Sequence, residues 1–268
     1  MNLKSLVVPL ATMMLLAACT PEMRVSAETA ITVNTHEYTI ADEVYEGCVA
    51  RPAAEKESYP AVMVVHDWMG NGEFSRAQAE RLARLGYIAF AVDLYGKGVR
   101  ATDAAGASKL AGRFYQSPPL FRGGMVAALE EMKKLPGVDT TKLGAIGFCF
   151  GGTAVLELAR SGADIAGVVS FHGGLKPFST QRPEKIVPKI LILHGAIDPH
   201  VSPDDVAACM SELNEVGVAY RLVAYPKTVH AFTNPAAGDD PSTGAAYQEE
   251  AAKAAFEEME RFFLYIFK

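Results

Sequence analysis

The chain has 268 residues, half of them hydrophobic, so it is long enough to bury a sizeable core. Its formal net charge is −6, and no block of lysine and arginine residues stands out. A broad basic surface that would neutralise phosphates is therefore excluded, and we do not expect nucleic acid as a partner.

The N-terminus has the pattern of a targeting segment rather than of a folded element. Lys4 supplies a positive charge, and residues 6–18 are apolar or small and end at Cys19. This apolar stretch is short for a permanent membrane-spanning helix but typical of a secretory signal peptide that is removed from the mature protein. We therefore expect an exported protein.

The stretch "LAAC" at residues 16–19 resembles the cleavage box of bacterial lipoproteins, in which the cysteine becomes the lipidated first residue. The resemblance implies a lipid on Cys19 that anchors the protein to a membrane on the periplasmic side of the cell envelope. An ordinary secreted protein with an incidental Cys19 is the alternative. We predict a signal peptide at residues 1–18, a lipidated cysteine and tether at 19–36, and one domain at 37–268.

Three further cysteines lie in the predicted domain. An odd number in an exported chain indicates either a reactive thiol or an unpaired core cysteine. Cys209 lies with Val206, Met210 and Leu213 at helical spacing, which favours packing in the core. A disulfide between Cys48 and Cys209 would suit an oxidising compartment and stays open at this point.

Strand-like and helical patterns alternate along the domain. Residues 38–51 predict one or two strands, and six apolar runs predict further strands at Ala61–Val65, Ile88–Val92, Leu143–Phe148, Ile165–Phe171, Ile190–His194 and Tyr220–Tyr225. Strands that are apolar throughout and separated by helices indicate a mostly parallel sheet with helices on both faces. The predicted fold class is therefore α/β.

Three helices are well marked by their patterns. One lies before Pro136, another begins after Ser202 as its N-cap, and the last carries an apolar face over residues 255–266. Ligands of such sheets bind beyond the carboxyl ends of the strands. Residues 96–119 are expected to leave the regular strand and helix pattern and to pass over that edge of the sheet.

The stretch "GFCFGG" at residues 147–152 follows an apolar run and opens a helical pattern. This is the context of the G-x-S-x-G nucleophile elbow, with Cys149 in place of serine. A sharp turn strains its central residue and brings backbone close, which explains Gly147 and Gly151. The helix N-terminus would favour a thiolate at Cys149. The alternative is a glycine-rich turn around a structural cysteine.

A nucleophile on this turn requires an acid and then a histidine later in the chain. Asp198 follows a predicted strand in "LILHGAIDP", and His230 follows the last strand in "YPKTVHAF". We predict that His230 accepts the thiol proton and delivers it to the leaving group, while Asp198 orients the imidazole.

Six motifs together resemble the dienelactone hydrolase family of the α/β-hydrolase fold: "VVHDWMG", "AVDLYGKG", "GFCFGG", "FHGGL", "HGAIDPHV" and "HAFTNP". The resemblance covers residues 38–268. It implies a mostly parallel eight-stranded, or seven-stranded, sheet whose first strands are antiparallel. The family's catalytic cysteine, aspartate and histidine fall on Cys149, Asp198 and His230.

The resemblance also implies roles for residues around this triad. Asp67 stands at the position of a family carboxylate that opposes thiolate formation until substrate displaces it, because like charges raise a thiol pKa. The backbone N–H groups of Phe150 and Trp68 are expected to form the oxyanion hole.

Substrate contacts follow the family less closely. Lys97 and Asn234 stand where the enzyme that names the family holds a lactone carboxylate with two arginines, and they bind an acid less rigidly. Tyr95 and Phe232 are expected as apolar walls. Both a different anionic ester and a neutral ester therefore stay open.

A metal site is the alternative for His66, His172 and His194, which all lie near predicted strand ends. They lack a short ligand spacing such as His-x-x-x-His, so hydrogen bonding to loops is the favoured interpretation. We expect neither a metal nor a cofactor.

The sequence therefore predicts a monomeric hydrolase that cleaves a small-molecule ester, lactone or thioester through an acyl-cysteine intermediate. A general carboxylesterase or thioesterase of the same fold is one alternative. A non-catalytic envelope lipoprotein that keeps the fold as a binding module is another. The three residues of the predicted triad each follow a strand. A non-catalytic binding module would have no physical need for these residue types at those positions, so this alternative is disfavoured.

Overall fold

The computed structural model describes residues 29–177 and 185–268. The predicted signal peptide, Cys19 and most of the tether lie outside these residues. One sheet contains eight strands: β1 Ile31–Ile40, β2 Glu43–Pro52, β3 Tyr59–Val65, β4 Ile88–Val92, β5 Val138–Phe148, β6 Gly167–Phe171, β7 Lys189–Gly195 and β8 Tyr220–Tyr225. The α-helices of the described residues are α1 Glu73–Arg84, α2 Ala104–Tyr115, α3 Pro118–Lys133, α4 Phe150–Arg160, α5 Pro203–Val216 and α6 Glu249–Ile266.

The strand order is β1-β2-β4-β3-β5-β6-β7-β8. The pairs β1–β2 and β2–β4 are antiparallel, and every later pair in that order is parallel. The prediction of a mostly parallel, eight-stranded sheet with antiparallel first strands is confirmed. The carboxyl ends of the parallel strands meet at one edge, where the predicted site residues lie.

The first two strands form a hairpin that the sequence analysis predicted only in part. Ala41 and Asp42 join them with φ angles of 48° and 70°, the conformation of a two-residue hairpin turn. β1 begins at Ile31, where it pairs with Pro52, so the sheet includes residues that the prediction assigned to the tether. β1 is an edge strand and is partly exposed along most of its length, which weakens its apolar signal.

Helices cover both faces of the sheet, as predicted. Residues Met63 and Val65 of β3 join the core beneath α2–α5, while Val62 and Val64 join the core beneath α1 and α6. The strand is apolar throughout because both of its faces are buried. Within the described ranges, no helix has the length and apolar character needed to cross a membrane.

Cys48 and Cys209 are free thiols on opposite faces of the sheet. Cys209 is fully buried in α5, which agrees with the core packing expected from its helical spacing. The open alternative of a disulfide between them is therefore not realised, because the sheet separates the two side chains.

The N-terminus of α5 confirms a predicted helix start and fixes a carboxylate near the site edge. The Ser202 hydroxyl accepts a hydrogen bond from the Asp205 N–H at 3.1 Å, and the Asp205 carboxylate accepts from the Ser202 N–H at 3.3 Å. This reciprocal capping box satisfies two backbone donors and holds the Asp205 side chain in one place.

Candidate active site

Cys149 lies at the turn between β5 and α4 with φ 54° and ψ −112°. Few residues other than glycine adopt such a conformation, and it is held here by close packing. A Cβ at Gly147 would lie 2.0 Å from the carbonyl oxygen of Gly151, and one at Gly151 would lie 2.3 Å from that of Val65. Gly147 is therefore required for the turn itself to close, and Gly151 for the turn to pack against β3.

A second imidazole contacts the backbone of this turn. The Cys149 N–H is shared between the Phe171 carbonyl oxygen at 3.0 Å and Nδ1 of His172 at 3.1 Å, and Nε2 of His172 lies 2.8 Å from the Thr233 hydroxyl. Because Nδ1 accepts, the neutral ring carries its proton on Nε2 and donates it to Thr233. Burial holds the pKa of His172 well below its usual range, so the ring is neutral at ordinary pH.

The loops after β7 and β8 bring Asp198 and His230 together. Nδ1 of His230 lies 2.7 Å from Oδ2 of Asp198, whose Oδ1 accepts from the His200 N–H at 2.8 Å. His230 lies with Cys149 in the wall of one cavity, and the Cys149 sulfur acts to raise the pKa of this imidazole. Three residues from separate motifs are thus brought together at one site.

The electrostatics of this site favour charge on both His230 and Asp198. Burial acts to lower the pKa of His230, but the hydrogen bond to Asp198 and the influence of the neighbouring Cys149 sulfur outweigh it and raise the pKa to about 10. Burial opposes ionisation of Asp198, yet the hydrogen bonds from His230 and the His200 N–H hold its pKa below the usual value. The pair is therefore an imidazolium beside a carboxylate at neutral pH.

The loop after β3 carries Asp67 and Trp68 into the same region. Oδ1 of Asp67 accepts from the Met69 N–H at 2.8 Å, and burial raises the pKa of this carboxyl group. The Tyr95 hydroxyl donates to the carbonyl oxygen of Trp68 at 3.1 Å and so fixes the loop. The proposed effect of Asp67 on the thiol and the oxyanion role of the Trp68 N–H stay predictions.

Phe150 follows the nucleophile as the first residue of α4. Its N–H lies in the first helical turn, where the backbone donors have no acceptor within the helix. Its ring is fully buried and stacks on the rings of Phe121 and His66, with centroid distances of 4.8 and 5.6 Å. The aromatic packing fixes the backbone N–H that is predicted to bind the oxyanion.

A cavity of about 730 Å³ opens over Cys149. Asp67, His172, His230 and Asn234 contribute to its wall. The rest of the described wall is mostly apolar, with a few polar or charged residues, and consists of Trp68, Met69, Phe74, Tyr115, Phe148, Thr153, Gly174, Leu175, Lys176, His200, Val201, Asp205, Ala231, Ala236, Ala237 and Ala245.

Three residues expected to touch substrate do not line this cavity. Lys97 lies outside it, with its ammonium 2.5 Å from Glu37 and 3.8 Å from Glu46. Both carboxylates belong to the β1–β2 hairpin. The sequence around Lys97 does not indicate that this hairpin lies beside it. Tyr95 and Phe232 are buried behind the site, where they support the Trp68 loop and the His172 ring.

Tyr115 and His200 are among the cavity residues that the sequence analysis did not anticipate. Tyr115 enters from the end of α2, within the segment expected to pass over the site, so the sequence marked the segment but not the residue. The His200 ring packs edge-on against that of His230 at 5.0 Å between centroids. The sequence feature that could have pointed to His200 as a cavity residue is its position two residues after Asp198.

His66 fixes loop backbone as expected, whereas Nδ1 of the buried His194 has no hydrogen-bond partner among the described residues. His66 lies with Nδ1 2.6 Å from the Asp67 carbonyl oxygen, and its Nε2 accepts from the Leu94 N–H at 3.2 Å. Burial lowers the pKa of His66 to about 4, so it is neutral. Over residues 29–177 and 185–268, no cluster of three potential metal ligands is found.

Comparison with known proteins places this architecture in a family. The protein-family model described as "Dienelactone hydrolase family" matches residues 45–267. The chain belongs to the dienelactone hydrolase family. It is therefore a hydrolase of the ester and lactone type.

Members of the dienelactone hydrolase family are similar to the chain over nearly all of their length. A solved structure described as "m3DLH" is 33% identical with a TM-score of 0.86, and the match covers 89% of this chain and 100% of that one. The dienelactone hydrolase-like promiscuous phosphotriesterase P91 from metagenomic libraries is 33% identical with a TM-score of 0.85 and the same coverage of 89% and 100%. A Synechocystis sp. protein named "Putative carboxymethylenebutenolidase" is 26% identical over 81% of this chain and 90% of its own.

Proposed function

We propose that this dienelactone hydrolase family member cleaves an ester, lactone or thioester through a catalytic triad of Cys149, His230 and Asp198. The observation that carries the proposal is the 2.7 Å hydrogen bond between His230 and Asp198, with His230 and Cys149 both in the wall of a cavity large enough for a small molecule.

In the first half of the reaction the Cys149 sulfur attacks the substrate carbonyl carbon, and its proton is held on His230. The new carbon–sulfur bond pushes an electron pair onto the carbonyl oxygen, which the Phe150 and Trp68 N–H groups stabilise. Collapse of this oxyanion breaks the bond to the leaving group. The leaving group takes the proton from His230, and an acyl-cysteine remains.

In the second half a water molecule attacks the acyl-cysteine, and His230 accepts its proton. Collapse of the second tetrahedral intermediate breaks the carbon–sulfur bond and releases the carboxylic acid, and the sulfur takes back the proton from His230 to return the thiol. Asp198 keeps the imidazole oriented and stabilises its protonated form throughout. Asp67 adds negative charge near Cys149, and we propose that it opposes a free thiolate until substrate enters.

The test is hydrolysis of p-nitrophenyl acetate and the corresponding thioester by the wild type and by Cys149→Ala and His230→Ala. We expect each variant to lose about a thousandfold or more in kcat. Cys48→Ala is the matched control, since it removes a half-buried thiol outside the cavity. Equal rates from the wild type and Cys149→Ala would leave only a binding module.

We also propose that a lipid on Cys19 anchors the exported protein to a membrane on the periplasmic side of the cell envelope. The proposal is supported by the "LAAC" stretch and the apolar segment before it. Cys19→Ser should move the protein from the membrane fraction to the soluble fraction. Undiminished membrane retention of that variant would contradict the anchor.

A further inference from the structure

Apolar side chains form most of the cavity wall over Cys149. Trp68, Phe74, Tyr115, Leu175 and Val201 come from five separate segments of the chain and meet around the opening. Trp68 and Tyr115 remain 37% and 38% exposed, so they stand where the cavity meets solvent. A wall of this kind gains binding energy by covering apolar surface of a ligand.

Two carboxyl groups lie in the same wall. Asp67 is held by the Met69 N–H at 2.8 Å, and Asp205 is held by the Ser202 hydroxyl at 2.8 Å. Their positions are fixed by these hydrogen bonds rather than left to swing into solvent. A substrate that carries its own carboxylate would share the cavity with these two carboxyl groups, and like charges repel.

The cations around the site are mostly committed to other partners. Lys97 pairs with Glu37 outside the cavity, and Arg100, in the segment over the site, lies 3.6 Å from the buried Asp93. Among the described wall residues, Lys176 is the one lysine or arginine, and it is exposed. An exposed ammonium is well screened by water and salt, so it holds an anion weakly.

Asn234 lines the cavity but offers no charge. Its side-chain oxygen accepts from the Ala236 N–H at 3.0 Å and caps the turn that follows. An amide cannot replace the bidentate grip of a guanidinium on a carboxylate.

From this arrangement we infer that the preferred substrate is a neutral ester or lactone with an apolar acyl group, and that a lactone bearing a carboxylate is disfavoured. The inference rests on the proposed function of the same cavity. It limits the proposed substrates to uncharged ones. Asp205 is the residue that we assign to this discrimination against an anionic substrate.

The test compares p-nitrophenyl hexanoate with mono-p-nitrophenyl adipate, which share the leaving group and the acyl chain length and differ in one terminal carboxylate. We expect kcat/KM to be about tenfold or more higher for the hexanoate, chiefly through KM. The ratio of kcat/KM for the hexanoate to that for the adipate should decrease as the salt concentration is raised, because ions screen the repulsion between carboxylates.

Asp205→Asn and Asp204→Asn form a matched pair of variants. Both remove one charge from the first turn of α5, but Asp204 is exposed and lies outside the cavity wall. Asp205→Asn should raise kcat/KM for the adipate by about threefold to fivefold, the effect of one unit charge a few ångströms away in partly aqueous surroundings. Asp204→Asn should change the ratio of the two substrates by less than about twofold.

Equal use of both esters, or a preference for the adipate, would overturn the inference. A preference for the adipate that Lys176→Met abolishes would instead make Lys176 a carboxylate-binding residue. A hexanoate preference that Asp205→Asn leaves unchanged would overturn the role of Asp205. Cys149→Ala separates the two proposals: if neither ester is cleaved faster by the wild type than by this variant, the proposed function fails as well.

Discussion

The Cys149 N–H, which also donates to the Phe171 carbonyl oxygen, donates to Nδ1 of His172, so the backbone of Cys149 is tied to an imidazole outside the proposed triad. His172 itself has a positive φ of 40°, and its ring stands 5.1 Å from that of His230. Through Nε2 it also reaches Thr233 in the loop that carries His230. One neutral ring therefore contacts both the backbone of Cys149 and the loop that carries His230.

His172→Phe should lower kcat about tenfold to a hundredfold, with KM for p-nitrophenyl esters within about threefold of the wild type, because misplacing reactive groups affects the chemical step. The variant keeps a ring but removes both nitrogens. His172→Asn is its control, since the amide oxygen can stand near the position of Nδ1 and accept from the Cys149 N–H. Partial recovery of kcat in His172→Asn supports positioning, and an equal loss in both variants contradicts it.

The His230–Asp198 pair should make stability depend on pH in a defined direction. The pKa of His230 is raised from 6.5 to about 10, so its protonation stabilises the folded state fully below pH 6.5, and this contribution is lost as pH rises toward 10. The pKa of Asp198 is lowered from 3.8, so its contribution is present above 3.8 and is lost as pH falls through the folded value.

The free energy of unfolding of the wild type minus that of His230→Gln should therefore be largest between pH 3.8 and 6.5 and should fall steadily above 6.5. Urea unfolding at a series of pH values measures this difference. In the Cys149→Ala background the fall should end at a lower pH, because the thiol no longer supports the imidazolium. A difference that grows above pH 6.5 would show that the pair is not ionised in this way.

Gly147→Ala should prevent the chain from reaching its native state or reduce soluble yield severely, because the added Cβ would lie 2.0 Å from the Gly151 carbonyl oxygen. Gly112→Ala is the matched control. It lies within α2, and an added Cβ meets no heavy atom within 4 Å. This variant should be more stable by about 0.5–1 kcal/mol, as expected for alanine in a helix interior. Thermal unfolding compares the two, and a well-folded Gly147→Ala protein would contradict the packing argument.

Glu157→Gln should lower the free energy of unfolding by about 3–5 kcal/mol. Glu157 is fully buried in α4, 2.7 Å from the Arg122 guanidinium and 2.9 Å from that of Arg160. The amide would remove the carboxylate that pairs with Arg122, and it would leave Arg160 with Glu212 as its remaining charged partner. Glu80→Gln is the control on the surface, where Glu80 pairs with exposed arginines of α1, and it should change stability by about 1 kcal/mol or less. Urea unfolding that shows similar small effects for both would contradict this network's importance.

The sequence by itself determined the α/β fold class, the mostly parallel sheet, and the positions of Cys149, Asp198 and His230 after strands. These features depend on local patterns: the alternation of strand and helix, and the steric demand of the elbow for glycine. Parallel strands end at the same edge, so residues that follow them are brought near each other without further information.

Only the tertiary structure decided which side chains face the substrate. Lys97 is paired with Glu37 of the β1–β2 hairpin, while Tyr115 reaches the cavity from α2. The His172 contact with the Cys149 backbone likewise joins residues from different strands. The direction and partner of a side chain depend on how distant segments pack, and a periodic pattern along one segment carries no information about its neighbours across the fold.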